Sequence, residues 1–339
     1  MSMVVLALSD RTRGSVLVTG VGGVIGRHVA QEYARAGWKV RGVSRRHGEG
    51  AGWEHLPVDL LDAEATQSAF RAAAETTHLA FGAYIEKPTT QELSDVNVAL
   101  LRHTLNGLHV VGAPLRHVTL YQGGKAYGAH LGYFNTPAKE SDPRLIQPNF
   151  YYDQEDLLRQ VAQERGFELT VLRPEGVVGY AVGNPMNLLM VIAVYAAISR
   201  ALGQPLRFPG TVAAYDALYQ VTDADLLARA TMWAGSEPAA AGEIFNVTNG
   251  DQFRWRQLWP ALARHFGMDY AEPQQVLLAE AMPLHRGVWE KLVEQYGLVR
   301  TPFEDIAGWD FGDFLFRSEF DRVDPAGSSP GHREGGRQG

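Results

Sequence analysis

Three groups of residues in this 339-residue chain have the types and spacing to do chemistry. The first is a glycine loop. Thr19-Gly20-Val21-Gly22-Gly23-Val24-Ile25-Gly26 puts Gly20, Gly23 and Gly26 at Gly-x-x-Gly-x-x-Gly spacing, directly after the apolar run Val16-Leu17-Val18. Such a loop turns the chain sharply, lets a diphosphate approach the backbone, and packs the next helix tightly on the strand. The diphosphate then rests on unpaired N–H groups at the helix N-terminus, where the helix dipole favours negative charge. The loop follows a first strand, opens a helix and precedes a second strand, which is the context a dinucleotide site requires. The second group is Val43-Ser44-Arg45-Arg46, at the end of that second strand. A carboxylate there would bind the ribose hydroxyls of NAD. Two guanidinium groups instead suit a 2′-phosphate, so the site reads as one for NADP, against the plainer reading of two solvated arginines. Asp59 and Leu60, just past the third strand, fall where an adenine edge would lie, although Asp59 can equally serve as a helix cap.

The third group is a phenol and an ammonium. A dinucleotide site points to hydride transfer, with the protein supplying orientation and electrostatics. Ordinary short-chain dehydrogenases pair a tyrosine with a lysine four residues later on one helix. Only Tyr121 has that partner, Lys125, and Tyr121-Gln122-Gly123-Gly124-Lys125 ends a strand and carries two adjacent glycines, which makes a poor helix. The next helix opens Asn149-Phe150-Tyr151-Tyr152-Asp153-Gln154-Glu155-Asp156, so Glu155 and Asp156 stand where the lysine would be. A tyrosine there still needs a cation to favour its ionised or hydrogen-bonding form, and Lys125, from the loop after the fifth strand, can reach the same crevice. Glu155 and Asp156 read as structural, orienting the helix or Lys125.

Regular alternation must position these groups. Strands are expected at Val16–Val18, Lys39–Val43, His55–Val58, Thr77–Phe81, Leu115–Tyr121 and Leu169–Leu172. Helices are expected at Val24–Ala36, Ala63–Ala74, Leu93–Leu108 and Tyr152–Gln163. Such an order implies an α/β fold, a doubly wound parallel sheet with crossover helices on both faces. The second half is less regular. Asn187–Leu202 reads as an apolar core or dimer helix, Glu243–Val247 as a late strand returning to the sheet, and Trp255–Phe266 as an amphipathic helix. We therefore expect a dinucleotide-binding domain over 14–178, rejoined by 221–248, and a smaller, mainly helical substrate lobe from 179–220 and 249–322. Residues 1–13 form an N-terminal tail. The segment 323–339, rich in Gly, Ser, Arg and Pro, reads as a disordered C-terminal tail.

Composition narrows the function classes. Hydrophobic residues make up 45% and charged residues 20%, an ordinary globular balance, and the length favours two lobes. The net charge of −7, with no Lys/Arg run, argues against a nucleic-acid surface. With no cysteine, disulfides, thiolate metal sites and a cysteine nucleophile are excluded. The 11 histidines show no metal spacing. Asp223 and Asp225 read as helix capping. No apolar run approaches the roughly 18 residues that span a bilayer, and Met3–Leu8 lacks a preceding basic residue, so a cytoplasmic protein is expected.

Beyond these readings, the chain resembles the atypical short-chain dehydrogenase/reductases of the progesterone 5β-reductase and iridoid synthase type. The resemblance runs over about residues 14 to 315. It rests on the glycine loop, Gly42-Val43-Ser44-Arg45-Arg46, Gly124-Lys125-Ala126-Tyr127, Asn149 to Asp156, Arg173-Pro174, Met186-Asn187 and Phe208-Pro209-Gly210. It implies NADPH-dependent 1,4-reduction of a carbon–carbon double bond conjugated to a carbonyl, in a small hydrophobic enone or enal. It implies Lys125 and Tyr152 as the catalytic pair. It implies cofactor contacts at Gly20, Gly22, Gly23, Val24, Ile25, Gly26, Ser44, Arg45, Arg46, Asp59, Leu60, Ala83, Tyr121, Val177, Pro185 and Met186. A substrate pocket is expected at Tyr84, Tyr121, Phe150 and Asn187, with Tyr121 narrowing it or adding a hydroxyl. No metal, nucleic acid or membrane partner is expected, and a homodimer is left open. The competing readings are a carbonyl reductase of the same fold and a non-catalytic NADP sensor. Retention of both Lys125 and Tyr152 argues against the sensor.

Overall fold

The computed structural model describes residues 14–45, 52–181, 183–184 and 186–323. Arg46, Pro185, residues 1–13 and all but the first residue of the tail expected over 323–339 lie outside the described residues; Val323 itself is buried and its carbonyl accepts from Ala138 at 3.1 Å, so the expected tail is corrected at that residue. The first half builds β1 (Ser15–Thr19), α1 (Val24–Arg35), β2 (Lys39–Ser44), β3 (Glu54–Pro57), α2 (Ala63–Phe70), β4 (His78–Phe81), α3 (Thr90–Val110), β5 (His117–Tyr121), α4 (Phe150–Arg165) and β6 (Glu168–Pro174). The second half adds β7 (Val177–Val178), α5 (Leu188–Ala201), β8 (Leu206–Arg207), α6 (Val212–Asp216), β9 (Leu218–Tyr219), β10 (Thr222–Asp223), α7 (Ala224–Ser236), β11 (Ile244–Val247), β12 (Phe253–Arg254), α8 (Trp255–His265), β13 (Tyr270–Ala271), α9 (Leu278–Ala281), α10 (Arg286–Tyr296), α11 (Phe303–Ile306) and α12 (Trp309–Phe316).

Seven strands form one parallel sheet in the order β11-β6-β5-β4-β1-β2-β3. The strand order reverses between β1 and β4, so a crevice opens there beyond the strands' carboxyl ends. Strand alternation divides the sheet's two cores. Leu17, Leu79, Val118 and Leu120 face Leu101, Leu105 and Leu158 of α3 and α4, while Val16, Val18, Ala80 and Tyr121 face Val29 of α1 and Leu227 of α7. Both faces are covered, which is why the strands read as continuous apolar runs.

Caps fix where the helices begin. Thr89 and Glu92 form a reciprocal pair at α3, the Glu92 N–H donating to Thr89 at 3.2 Å and the Thr89 hydroxyl to the Glu92 carboxylate at 2.8 Å. Asn149 caps α4, so this helix starts at Phe150, two residues before the start expected from apolar spacing. A third core fills the C-terminal part of the chain. Phe208 packs against Trp259 at 5.2 Å and Phe316 at 5.3 Å between ring centres, with Val191 and Ile198 of α5 beside them. α5 is thus a core helix. Truncating a residue as buried as Phe208 costs about 3–5 kcal/mol. The two-residue pairs β7–β10, β9–β12 and β8–β13 were not expected, because two residues carry no periodicity.

Candidate active site

At the crevice, β1 ends in the glycine loop. Gly20 and Val21 donate to the Val43 carbonyl of β2 at 2.9 and 3.2 Å, which folds the loop over the sheet's edge. A Cβ on Gly26 would collide with the Gly20 carbonyl, so α1 packs on β1 at a distance only glycine allows. α1 begins after Gly23 with no side-chain cap, and a Cβ on Gly22 would meet nothing within 4 Å. The first-turn N–H groups of Val24, Ile25 and Gly26 have no partner within the helix and carry a partial positive charge, and the cradle fits a diphosphate. Thr19 ties the two sides of the crevice together, its hydroxyl oxygen accepting from Gly82 and Ala83 at 3.1 Å each. This places Ala83 at the crevice wall.

The adenine side is partly as expected. Arg45 is exposed just beyond β2. Ser44 turns its hydroxyl to the His55 ring at 2.8 Å. Asp59 is exposed and caps its own turn, accepting from Leu61 at 3.0 Å, while Asp62 caps α2. Leu60 needs a correction: its side chain is buried in the core and its carbonyl accepts from His103 at 2.9 Å. Val177 sits half-buried in β7, and Met186 is exposed ahead of α5.

The candidate catalytic groups come from β5 and α4. After β5 a 3-10 turn, Gly124–Tyr127, carries Lys125 half-buried. Asn149 joins this turn to α4, its Nδ2 donating to the Lys125 carbonyl at 2.7 Å while its Oδ1 accepts from Tyr151 at 3.1 Å. Beneath the turn lies a buried polar lattice. Gln122 donates to Glu155 at 3.1 Å and to the Tyr151 carbonyl at 3.0 Å, and accepts from Arg173 at 2.8 Å. Burial would raise the Glu155 carboxyl, but the hydrogen bonds from Arg159 and Gln122 hold it below the usual range. The expected structural role of Glu155 is therefore seen in its contacts, and Asp156 pairs with Arg144 at 2.8 Å.

The two tyrosines of α4 diverge. Tyr152 is buried, its hydroxyl donating to the Ala126 carbonyl at 2.7 Å and accepting from the Leu145 N–H at 3.1 Å. Both bonding directions are spent inside the protein, so the expectation that Tyr152 faces a substrate is corrected. Tyr151, one residue earlier and about 100° round the helix, places its hydroxyl 3.5 Å from where a Cβ on Gly123 would stand. That hydroxyl makes no hydrogen bond among the described residues. Burial first, then the carboxylates of Glu175 and Glu86, push its ionisation up, so the phenol stays protonated as a donor.

The aromatic wall is Tyr84 and Phe150, 5.6 Å apart between ring centres, with the Phe150 ring tilted against that of Tyr151 at 4.3 Å. Two further pocket expectations are corrected. Tyr121 points through the other face of the sheet, its hydroxyl bonded to Thr231 of α7 at 2.8 Å. An odd shift in strand alternation would be needed to turn it toward a substrate. Asn187 is fully buried and spends both ends of its amide, capping Leu189 at 3.1 Å and donating to Gly179 at 2.8 Å. The Asp223 side chain caps α7, whereas Asp225 pairs with His28 at 2.7 Å.

Features that sequence reasoning did not find lie beside the Lys125 turn. A cavity of about 690 Å³ opens between Ala129–Gly132 and the α9–α12 region, with Leu131, Leu277, Phe314 and Phe320 in its lining. Glu175, directly after β6, is buried with Arg322 at 2.7 Å. No spacing in the sequence connects residues this far apart. Among the described residues there is no cluster of three potential metal ligands, and no helix long and apolar enough to cross a membrane.

Comparison with known proteins follows the same lines. Residues 59–308 match a family model described as a PRISE-like Rossmann-fold domain. The chain is 35% identical over 325 residues to an (S)-8-oxocitronellyl enol synthase of Camptotheca acuminata, covering 89% of this chain and 83% of that protein. It is 32% identical over 324 residues to a 3-oxo-Δ(4,5)-steroid 5-β-reductase of Arabidopsis thaliana, with the same coverage. Among solved structures, the UDP-glucose 4-epimerase of Thermus thermophilus in complex with NAD superposes with a TM-score of 0.60 at 22% identity, covering 88% of this chain and 98% of that one. At that identity the likeness speaks for the fold alone.

Proposed function

The chain belongs to the PRISE-like Rossmann-fold family and is an oxidoreductase of the short-chain dehydrogenase/reductase type, and from that membership we propose that it reduces carbon–carbon double bonds conjugated to a carbonyl, with NADPH as reductant. The curated relatives' names support the reaction class. The glycine cradle supports a dinucleotide, and Arg45 supports a 2′-phosphate over a free ribose hydroxyl. Gly20, Gly22, Gly23, Val24, Ile25 and Gly26 would hold the diphosphate. Ala83 and Val177 border the nicotinamide end.

Reduction adds a hydride to the β-carbon and a proton to the α-carbon. The nicotinamide, when bound, supplies the hydride. The chain's part is at the other end of the conjugated system. As the β-carbon is reduced, negative charge collects on the carbonyl oxygen, and a donor fixed in advance stabilises it without reorganisation. We assign that donor to Tyr151 in place of Tyr152. The single observation behind the assignment is that the hydroxyl of the half-buried Tyr151 makes no hydrogen bond among the described residues at the carboxyl ends of the strands, whereas Tyr152 is engaged as donor and acceptor. Lys125 adds positive field from the adjoining turn. The α-carbon takes its proton from solvent.

NADPH consumption with 2-cyclohexen-1-one, followed by product analysis, tests the reading. Cyclohexanone is the expected product. Formation of 2-cyclohexen-1-ol would instead select a carbonyl reductase, and saturable cofactor binding with no turnover across an enone panel would select a sensor.

A further inference from the structure

Glu175 is the buried charge that the mechanism above leaves unused. It directly follows Arg173-Pro174 at the end of β6, and its side chain is only 6% exposed. One carboxylate oxygen takes the Arg322 guanidinium at 2.7 Å, and the other, Oε2, packs directly against Gly124. The approach to Gly124 is so close that any Cβ there would collide with Glu175 Oε2, which explains the second glycine of Gly123-Gly124. Gly124 begins the turn that carries Lys125.

Arg322 is equally fixed. Its N–H donates to the Leu218 carbonyl at 2.8 Å, Asp321 accepts from the Leu218 N–H at 2.8 Å, and the Val323 carbonyl accepts from Ala138 at 3.1 Å. The guanidinium lies 5.8 Å from the Tyr219 ring centre and 5.5 Å from that of Phe314. Residues 321–323 therefore join the substrate lobe, the loop that precedes α4, and the Lys125 turn. Two charges removed from water at this cost are better explained by geometry than by stability, since buried pairs are on average poor stabilisers.

We propose that Glu175, held by Arg322, is a positioning residue of the reaction: by packing its carboxylate against Gly124 it fixes the turn that presents Lys125, and the segment carrying Arg322 is thereby part of the active site. This rests on the reductase reading for its activity arm. Burial also keeps the carboxyl raised above its ordinary range, and only Arg322 and the Gly124 N–H oppose this.

The test uses the full chain and two double variants that leave no lone buried charge. Glu175→Ala/Arg322→Met removes the side chain packed on Gly124. It is expected to lower kcat for 2-cyclohexen-1-one by about 10- to 100-fold with KM within about threefold, and to speed amide exchange in peptides spanning residues 122–126. Glu175→Gln/Arg322→Met restores an uncharged side chain of the same shape against Gly124 and is expected to recover kcat to within about fivefold of the parent. The proposal is overturned if the Ala variant keeps parental kcat or exchange, or if the Gln variant is as impaired as the Ala variant. Should the Ala variant not fold, the parent decides: slow exchange at Gly124 supports the anchor, and exchange at the rate of an open turn removes it. A parent that reduces no enone sinks the reductase reading instead, and the exchange measurement then judges the anchor on its own.

Discussion

The side-chain amide of Asn149 donates to the main-chain carbonyl of Lys125 at 2.7 Å, and this bond, together with that from the Tyr152 hydroxyl to the Ala126 carbonyl, sets the lysine turn and the tyrosine helix relative to each other. The same amide's oxygen caps the helix at the Tyr151 N–H. One side chain thus orders both candidate catalytic groups, which the sequence separates by more than two dozen positions. Asn149→Ala should destabilise the fold by about 1–2 kcal/mol through the lost cap and bond. It should lower kcat by about 10- to 100-fold at a temperature where it remains folded, because misplacement on the scale of 1 Å is costly. Steady-state kinetics beside a thermal melt would separate the two effects; kcat within twofold of the parent would refute the coupling.

The two adjacent tyrosines should behave differently. Tyr151→Phe removes a hydroxyl that bonds to nothing among the described residues, so stability should stay within about 0.5 kcal/mol. Its loss as an oxyanion donor should cost about 10²–10³ in kcat while NADPH still binds. Tyr152→Phe strips a partner from the Ala126 carbonyl and from the Leu145 N–H, at about 1–3 kcal/mol, with kcat changed far less. Paired denaturant melts and turnover measurements discriminate, and the opposite pattern would return the donor role to Tyr152.

Arg45 carries the nucleotide preference in this reading. Arg45→Ala should raise KM for NADPH by about tenfold or more, the loss expected for a charge-assisted bond to a phosphate. KM for NADH, which has no 2′-phosphate, should move less than about twofold. Equal effects on the two nucleotides would mean that Arg45 is only a solvated surface charge.

Much of this was open to the sequence, and the limits have physical causes. The sheet was legible because its inner strands are buried on both faces and several of its helices carry side-chain caps, as with Thr89 or Asn149. The cradle was legible because Gly20 and Gly26 answer a steric demand that only a dinucleotide loop makes at that spacing. What could not be read was orientation within an element. Tyr151 and Tyr152 differ by about 100° around α4, and the two residue letters do not reveal which faces the crevice. Tyr121 was misplaced for the same reason, since strand alternation sends it to Thr231. Asn187 looked like a pocket residue but is a cap. Glu175 and Arg322 gave no signal, because their pairing is made by the fold across more than a hundred residues.

The buried histidines at the other end of the sheet set a pH dependence that has nothing to do with turnover. His117 is 6% exposed, and its Nε2 donates to the Thr170 hydroxyl oxygen at 3.0 Å, that hydroxyl's own proton going to the Ala240 carbonyl at 2.7 Å. Burial, reinforced by the nearby His78, lowers His117 from 6.5 to about 3. The folded state therefore binds fewer protons than the unfolded chain between those two values. The stabilisation is complete above pH 6.5, is lost steadily as pH falls, and is gone near pH 3. Each pH unit inside that window should cost at most about 1.4 kcal/mol from this site. Lowering the pH from 6.5 to 5 should thus remove up to about 2 kcal/mol from the parent. His117→Gln, which cannot take up a proton, should be less stable at neutral pH but show a visibly shallower decline over the same interval. Urea melts at the two pH values provide the measurement, and parallel declines in parent and variant would show that His117 is not the group being titrated.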